Sequence, residues 1–278
     1  MTFSLLGLVN ALSRKPRASR RVAADIAYGP HPRQRLDVYR PTGAGADLPL
    51  VVFLYGGAWN SGDRRDYGFV GRSLAARGHV VVMPDYRVLP EVEYPEFLLD
   101  CADAVRWAAN HAREFGARSS RLVVAGHSAG AYNAAMLALD QRYGVSADVQ
   151  AVVGLSGPYD FYPFDIDISR RTFGAVADPL STQPINFVTG RSPPMFLASA
   201  DGDKLVYPRN TTALAARLRD HGVAVVEKHI PAGGHPTTLL QLGSLFAGKS
   251  ALLSEITDFI ATHTALQSAL AGRSGRGL

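Results

Sequence analysis

The sequence predicts an α/β fold with a mostly parallel central sheet and helices on both faces. Three observations carry that expectation. From residue 50 onward, short apolar runs rich in β-branched residues alternate with longer runs of helical periodicity. The 278 residues are 47% apolar with few low-complexity stretches, enough for one large domain with a well-buried core. The run Val123–Ala131 passes from a strand pattern into an alanine-rich helical pattern through Gly126-His127-Ser128-Ala129-Gly130.

The elements follow in order. Ile26–Tyr28 and Arg35–Tyr39 read as an antiparallel pair joined by the turn Gly29-Pro30-His31-Pro32. Strands are expected near Leu50–Leu54, Val80–Met83, Leu122–Ala125, Ala151–Leu155, Met195–Ala200 and Val223–Ile230. Helices are expected near Gly68–Arg77, Phe97–Glu114, Ala131–Gln141, Thr211–Asp220 and Ala251–His263. Tyr159–Gly190 breaks the rhythm with prolines and a high density of aromatics, and reads as a short cap, since such side chains are costly to leave in water. No internal repeat is visible. The expected organisation is a basic segment over 1–24 docked as a helix, a main domain over 25–265 with its cap at about 159–190, and a flexible tail over 266–278.

The net charge of +5 equals the contribution of Arg14, Lys15, Arg17, Arg20 and Arg21 alone, and the remainder is close to neutral. With no basic–aromatic stripe and no nucleic-acid motif, a nucleic-acid partner is excluded. The apolar run Phe3–Val9 is too short to span a bilayer, and its positive charge follows it where a secretory signal would carry charge in front. Membrane contact is therefore not expected. Cys101 is the only cysteine, which rules out an intrachain disulfide and points to a cytoplasmic setting. No Cys/His cluster has metal spacing and no glycine-rich dinucleotide loop follows the first strand, so neither metal nor cofactor is expected.

The chemistry gathers at strand ends. A strand that turns at once into a helix holds its middle residue in a strained conformation and projects that side chain, here Ser128, outward. The helix behind it offers the Ala129 N–H, and its dipole favours nearby negative charge. Downstream, Met195–Ala200 ends in Asp201-Gly202-Asp203, and Val223–Ile230 ends in Pro231-Ala232-Gly233-Gly234-His235. Parallel strands bring such loops to one sheet edge, where His235 can take the Ser128 proton and a carboxylate can hold its other ring nitrogen. Asp203 and Asp201 compete for that place, and the position of Asp203 within the loop favours it. Upstream, Leu50–Leu54 runs into Tyr55-Gly56-Gly57-Ala58-Trp59, whose adjacent glycines allow backbone N–H groups to converge on one point.

These motifs resemble the α/β-hydrolase fold. The chain is similar, from about Asp25 to Ile260, to serine carboxylesterases whose oxyanion motif is His-Gly-Gly-Gly or His-Gly-Gly-x-Trp, the hormone-sensitive-lipase-like esterases and kynurenine-formamidase-like hydrolases. The resemblance implies Ser128, Asp203 and His235 as catalytic residues, and the N–H groups of Gly57, Ala58 and Ala129 as the oxyanion hole. It places Pro84-Asp85-Tyr86-Arg87 on the strand-end motif that braces that loop. Trp59 and His127 are expected to contact substrate.

Two positions depart from the family pattern. Tyr55 stands for its histidine, where the hydroxyl can still anchor the loop. Ala58 stands for a third glycine, and its methyl resists positive φ and takes up space in the site. The expected activity is hydrolysis of short- to medium-chain carboxylic esters through an acyl-enzyme, with a small-molecule ester as partner. An arylformamidase or amidase on the same triad is the alternative, held open by Trp59, and a non-catalytic binding protein on this fold is the contrasting class.

Overall fold

The computed structural model describes residues 5–13, 15–243 and 251–271. Arg14, Phe3 and the last residues of the expected tail, 272–278, lie outside the described residues. Eight strands form one sheet: β1 (Ser19–Ala27), β2 (Arg35–Pro41), β3 (Leu48–Leu54), β4 (Val80–Pro84), β5 (Ala117–His127), β6 (Val149–Leu155), β7 (Met195–Ala200) and β8 (Val225–Ile230). Their order is β1-β2-β4-β3-β5-β6-β7-β8. The β1–β2 and β2–β4 pairs are antiparallel, and every pair from β4–β3 to β7–β8 is parallel.

The helices are α1 (Leu5–Leu12), α2 (Gly68–Ala75), α3 (Glu96–His111), α4 (Ala129–Leu139), α5 (Asp167–Phe173), α6 (Arg209–Asp220), α7 (Thr237–Leu240) and α8 (Leu252–Ala271). All five residues of β4 are buried, as are the last five of β3 and of β6. Successive strand residues point to opposite faces, so uninterrupted burial means that both faces of the sheet are covered. Helix α4, buried on every side, carries no polar stripe and runs across β5 and β6 at the centre of the molecule.

Two boundaries of the expected domain organisation differ in the structure. The sheet begins at Ser19, inside the segment read as a basic docked helix; among the described residues of that segment, only Leu5–Leu12 is helical. Arg20 and Arg21 belong to an edge strand, and Arg21 reaches across to Asp37 on β2 at 2.8 Å. A run of charge looked like a solvated segment, yet an edge strand carries charge readily because its outer side faces water. At the other end α8 continues to Ala271, six residues into the expected tail.

The tightest constraint lies where β5 turns into α4. A Cβ on Gly130 would stand 2.1 Å from the Leu54 carbonyl oxygen and 2.4 Å from that of Tyr55, so the helix start is pressed against the backbone of β3. Gly45 sits in open space without a left-handed φ. Gly130→Ala is therefore expected to lower the unfolding free energy by about 2–3 kcal/mol, and Gly45→Ala to stay within about 0.5 kcal/mol, in urea titrations. Equal effects from the two substitutions would contradict the packing described at this crossing.

Candidate active site

Because β3, β5, β7 and β8 run parallel, their C-terminal loops share one edge of the sheet, the usual place for a site in such folds. Ser128 follows β5 at φ 56°, ψ −124°, a conformation few non-glycine residues adopt. Its N–H donates to the Leu155 carbonyl at 2.8 Å, which pins the turn to the neighbouring strand. Ser128 Oγ lies 2.7 Å from His235 Nε2, and His235 Nδ1 lies 2.7 Å from Asp203 Oδ2. The chain of hydrogen bonds thus joins three loops separated by up to 107 residues.

Asp203 is almost wholly buried, and its second oxygen accepts from the N–H groups of Leu205 and Val206 at 2.9 Å each. Burial alone would raise its carboxyl; the His235 hydrogen bond and the two backbone donors outweigh that and hold it below the ordinary carboxylate range. Asp201 is exposed and lies 3.5 Å from His229, while Asp203 takes His235 Nδ1.

The loop after β3 curls through three successive left-handed residues, Gly57 (φ 142°), Ala58 (φ 50°) and Trp59 (φ 55°). Ala58 adopts the conformation that its methyl resists, so this turn is held by its surroundings. The Gly57 carbonyl accepts from Asn60 N and Ser61 N at 3.1 and 3.0 Å, and Tyr67 Oη lies 3.2 Å from Gly56 N. The Tyr55 hydroxyl accepts from Arg33 Nη2 at 2.9 Å, and the same nitrogen donates to the Gly62 carbonyl at 3.0 Å. Tyr86 Oη donates to the Tyr55 carbonyl at 2.7 Å. Behind this layer, buried Arg64 bridges Asp85 and Asp37. Arg33 and Arg64 escaped sequence reasoning: each works through residues distant in the chain, which no local spacing marks.

Ser128, Ala129, Ala58 and Trp59 line a cavity of about 200 Å³. Its other walls come from Phe161, Ile166, Ile168 and Ser169 in the proline-rich segment, and from Lys204 to Tyr207, Arg209 and Asn210. The segment carries α5 and two short turns, Pro179–Thr182 and Pro184–Phe187. Phe173 is completely buried and meets Trp59 edge-on at 4.9 Å and Phe161 at 5.3 Å. Tyr132 Oη on α4 donates to the Thr182 carbonyl at 2.9 Å, and Asn210 Oδ1 accepts from Tyr159 N and Asp160 N, each at 2.9 Å. Trp59 is held in turn by its indole N–H, which donates to Asn133 Oδ1 at 3.1 Å.

His127 corrects the sequence reading. It was expected to contact substrate, but it is buried, is not part of the cavity wall, and packs behind the ring of His235 at 4.9 Å. The strand alternation explains this: Ser128 projects into the cavity, so its predecessor points elsewhere. Cys101 is buried beside Asn133, in keeping with a core residue. Among the described residues, no group of three or more His, Cys, Asp or Glu side chains is arranged to hold a metal ion, and no helix is long and apolar enough to cross a membrane.

The lowered Asp203 carboxyl has a consequence for stability. A carboxylate favoured by the fold stabilises it above the unfolded value of about 3.9, and that contribution is lost as pH falls through the folded value. The unfolding free energy of the wild type is expected to fall relative to that of Asp203→Asn as pH drops from about 6 to about 3. A difference between the two proteins that stays constant across that range would contradict the charge state assigned to Asp203.

Comparison with known proteins agrees with this architecture. The BD-FAE family matches over residues 36–218. Esterase LipC of Mycobacterium tuberculosis is 32% identical over 243 residues, covering 77% of this chain and 60% of LipC. The isoprenylcysteine alpha-carbonyl methylesterase ICME of Arabidopsis thaliana is 35% identical over 153 residues, 52% of this chain and 36% of that enzyme. The chain thus spans 60% of the length of the first of these curated relatives and 36% of the second. Among solved structures, esterase B from Lactobacillus rhamnosis inhibited by a tributyrin phosphonate superposes with a TM-score of 0.84 at 19% identity, over 96% of this chain and 93% of that one. With the family match running through the sheet, the serine turn and the aspartate loop, the chain belongs to the BD-FAE family and has the α/β-hydrolase fold.

Proposed function

We propose that this protein is a serine hydrolase of carboxylic esters that works through an acyl-enzyme. The observation that carries the reading is the continuous hydrogen-bond chain from Ser128 Oγ through His235 to Asp203, opening on a largely apolar cavity. Named esterases among the relatives support the same reaction class.

His235 takes the Ser128 proton as Oγ attacks the ester carbonyl, and Asp203 holds the imidazolium that forms. The N–H groups of Gly57, Ala58 and Ala129 receive the developing oxyanion, each such donor typically contributing about 3–4 kcal/mol of transition-state stabilisation. His235 then protonates the leaving alcohol, and water removes the acyl group by the reverse order of steps. Bonds balance at each stage: one C–O bond forms on Ser128 as the alcohol C–O bond breaks, and water restores the hydroxyl.

Residues 159–190 act as the cap. Its Phe161, together with Trp59, walls the cavity, and the modest size of the cap is the ground for proposing acyl chains of about two to eight carbons. The single cysteine remains the ground for proposing a cytoplasmic location.

Ser128→Ala is expected to abolish hydrolysis while leaving the folded protein intact by circular dichroism. In the wild type, kcat/KM for p-nitrophenyl acetate, octanoate and palmitate is expected to be highest among the first two, with N-formylkynurenine turned over more slowly. Full activity in Ser128→Ala would overturn the mechanism. A palmitate optimum would overturn the cap reading, and preference for N-formylkynurenine would favour the arylformamidase.

A further inference from the structure

We propose that His127 is a positioning residue for the base: its Nε2–H holds the backbone carbonyl of His235 and so fixes where the His235 imidazole stands between Ser128 and Asp203. This rests on the hydrolase reading above and goes beyond it in assigning a task to a residue that touches no substrate. His127 Nε2 lies 3.2 Å from the His235 carbonyl oxygen. A carbonyl only accepts, so Nε2 carries the proton and Nδ1 is bare. Nδ1 is buried and has no hydrogen-bond partner, and it faces Gly56, where even a Cβ would come within 3.1 Å. The tautomer is thereby fixed by one bond and one closed wall.

The loop that carries His235 needs such a tether. It holds Gly233 and Gly234 in a row, its first three residues are exposed, and Ala232 (φ 58°) and Gly233 (φ 83°) are both left-handed. From below, Ser156 Oγ and Thr238 Oγ1 pair at 2.9 Å and hold the start of α7. His127 supplies a hold on His235 itself. Because His127 and Ser128 are consecutive, one strand end sets both the nucleophile and the carbonyl from which the base hangs.

The ring also has to stay neutral. Burial, followed by the neighbouring His235, lowers the His127 imidazole to about 3, against the opposing effect of its carbonyl acceptor. When His235 takes up the Ser128 proton, the ring 4.9 Å away adds no second positive charge. Histidine here gives a donor of the right reach without a charge to repel the imidazolium.

The test compares His127→Phe, which fills the space without a donor, with His127→Gln, which keeps an N–H at similar reach. Rates are scaled to sites labelled to completion on Ser128 by a p-nitrophenyl phosphonate. Misplacing a catalytic group by about 1 Å can cost about 100-fold, so His127→Phe is expected to lose about 10- to 100-fold in kcat with KM for the acetate ester within about twofold of wild type. His127→Gln is expected to recover kcat to within about threefold of wild type. The downfield proton resonance of the His235–Asp203 hydrogen bond is expected to persist in His127→Gln and to broaden or vanish in His127→Phe. Wild-type kcat per labelled site in His127→Phe, or an equal loss in both variants, overturns the proposal and leaves His127 a space-filling residue. A wild-type protein that takes no phosphonate on Ser128 overturns the hydrolase reading and this proposal with it.

Discussion

The structure depends on one steric constraint, the turn between β5 and α4. A Cβ at Gly126 would meet the Gly130 carbonyl at 2.2 Å, and a Cβ at Gly130 would meet the β3 backbone at 2.1 Å. Three backbones therefore cross within contact distance, and Ser128 has no alternative to its left-handed conformation. The strain, of the order of 1–3 kcal/mol, is held in place by buried strands on both sides. Its effect is to aim a hydroxyl off the sheet edge with little freedom, and the other functional groups are arranged around that fixed point.

What surrounds the serine is a graded electrostatic setting. Asp203 is buried yet ionised, because two backbone N–H groups and His235 satisfy it. His127 is buried and neutral, because burial and the neighbouring His235 both disfavour a second proton. Farther out, Arg64 is clamped between Asp37 and Asp85, and Arg33 ties Tyr55, Gly62 and Tyr86 together. Breaking one member of a buried cluster leaves the others uncompensated, so these groups fix the loop after β3 more firmly than surface pairs could. Trp59 and Phe161 then wall the cavity, backed by the rings of Tyr132 and Phe173 packed against them.

Much of this was legible in the sequence because local signals and tertiary role coincide. β7 runs over Met195–Ala200, the span its apolar pattern predicts, and α2 and α6 fall within two residues of the expected start or end. Ser128, His235 and Asp203 each follow a strand whose period and composition are unmistakable. The edge strand β1 was read short because its Arg20 and Arg21 look solvated, and its bulges break the alternation. β5 extends five residues upstream of its apolar run because Leu48 and Pro49 pair with Ala117 and Arg118, a pairing without a hydrophobic signature. Arg33, Arg64 and Asn133 were invisible for a related reason: each acts through a hydrogen bond to a distant element. His127 differs from expectation because it is buried behind the His235 ring and does not line the cavity.

The central claim is that Ser128 carries the acyl group during turnover. The most direct measurement mixes enzyme with excess p-nitrophenyl acetate in a rapid-quench apparatus and maps the acid-trapped adduct by peptide mass spectrometry. The account predicts a burst of p-nitrophenol of about one equivalent per active site and an acetyl group on the peptide containing Ser128. Steady turnover with the acetyl group on another residue, or hydrolysis under all quench times with Ser128 unmodified and no burst, would contradict it.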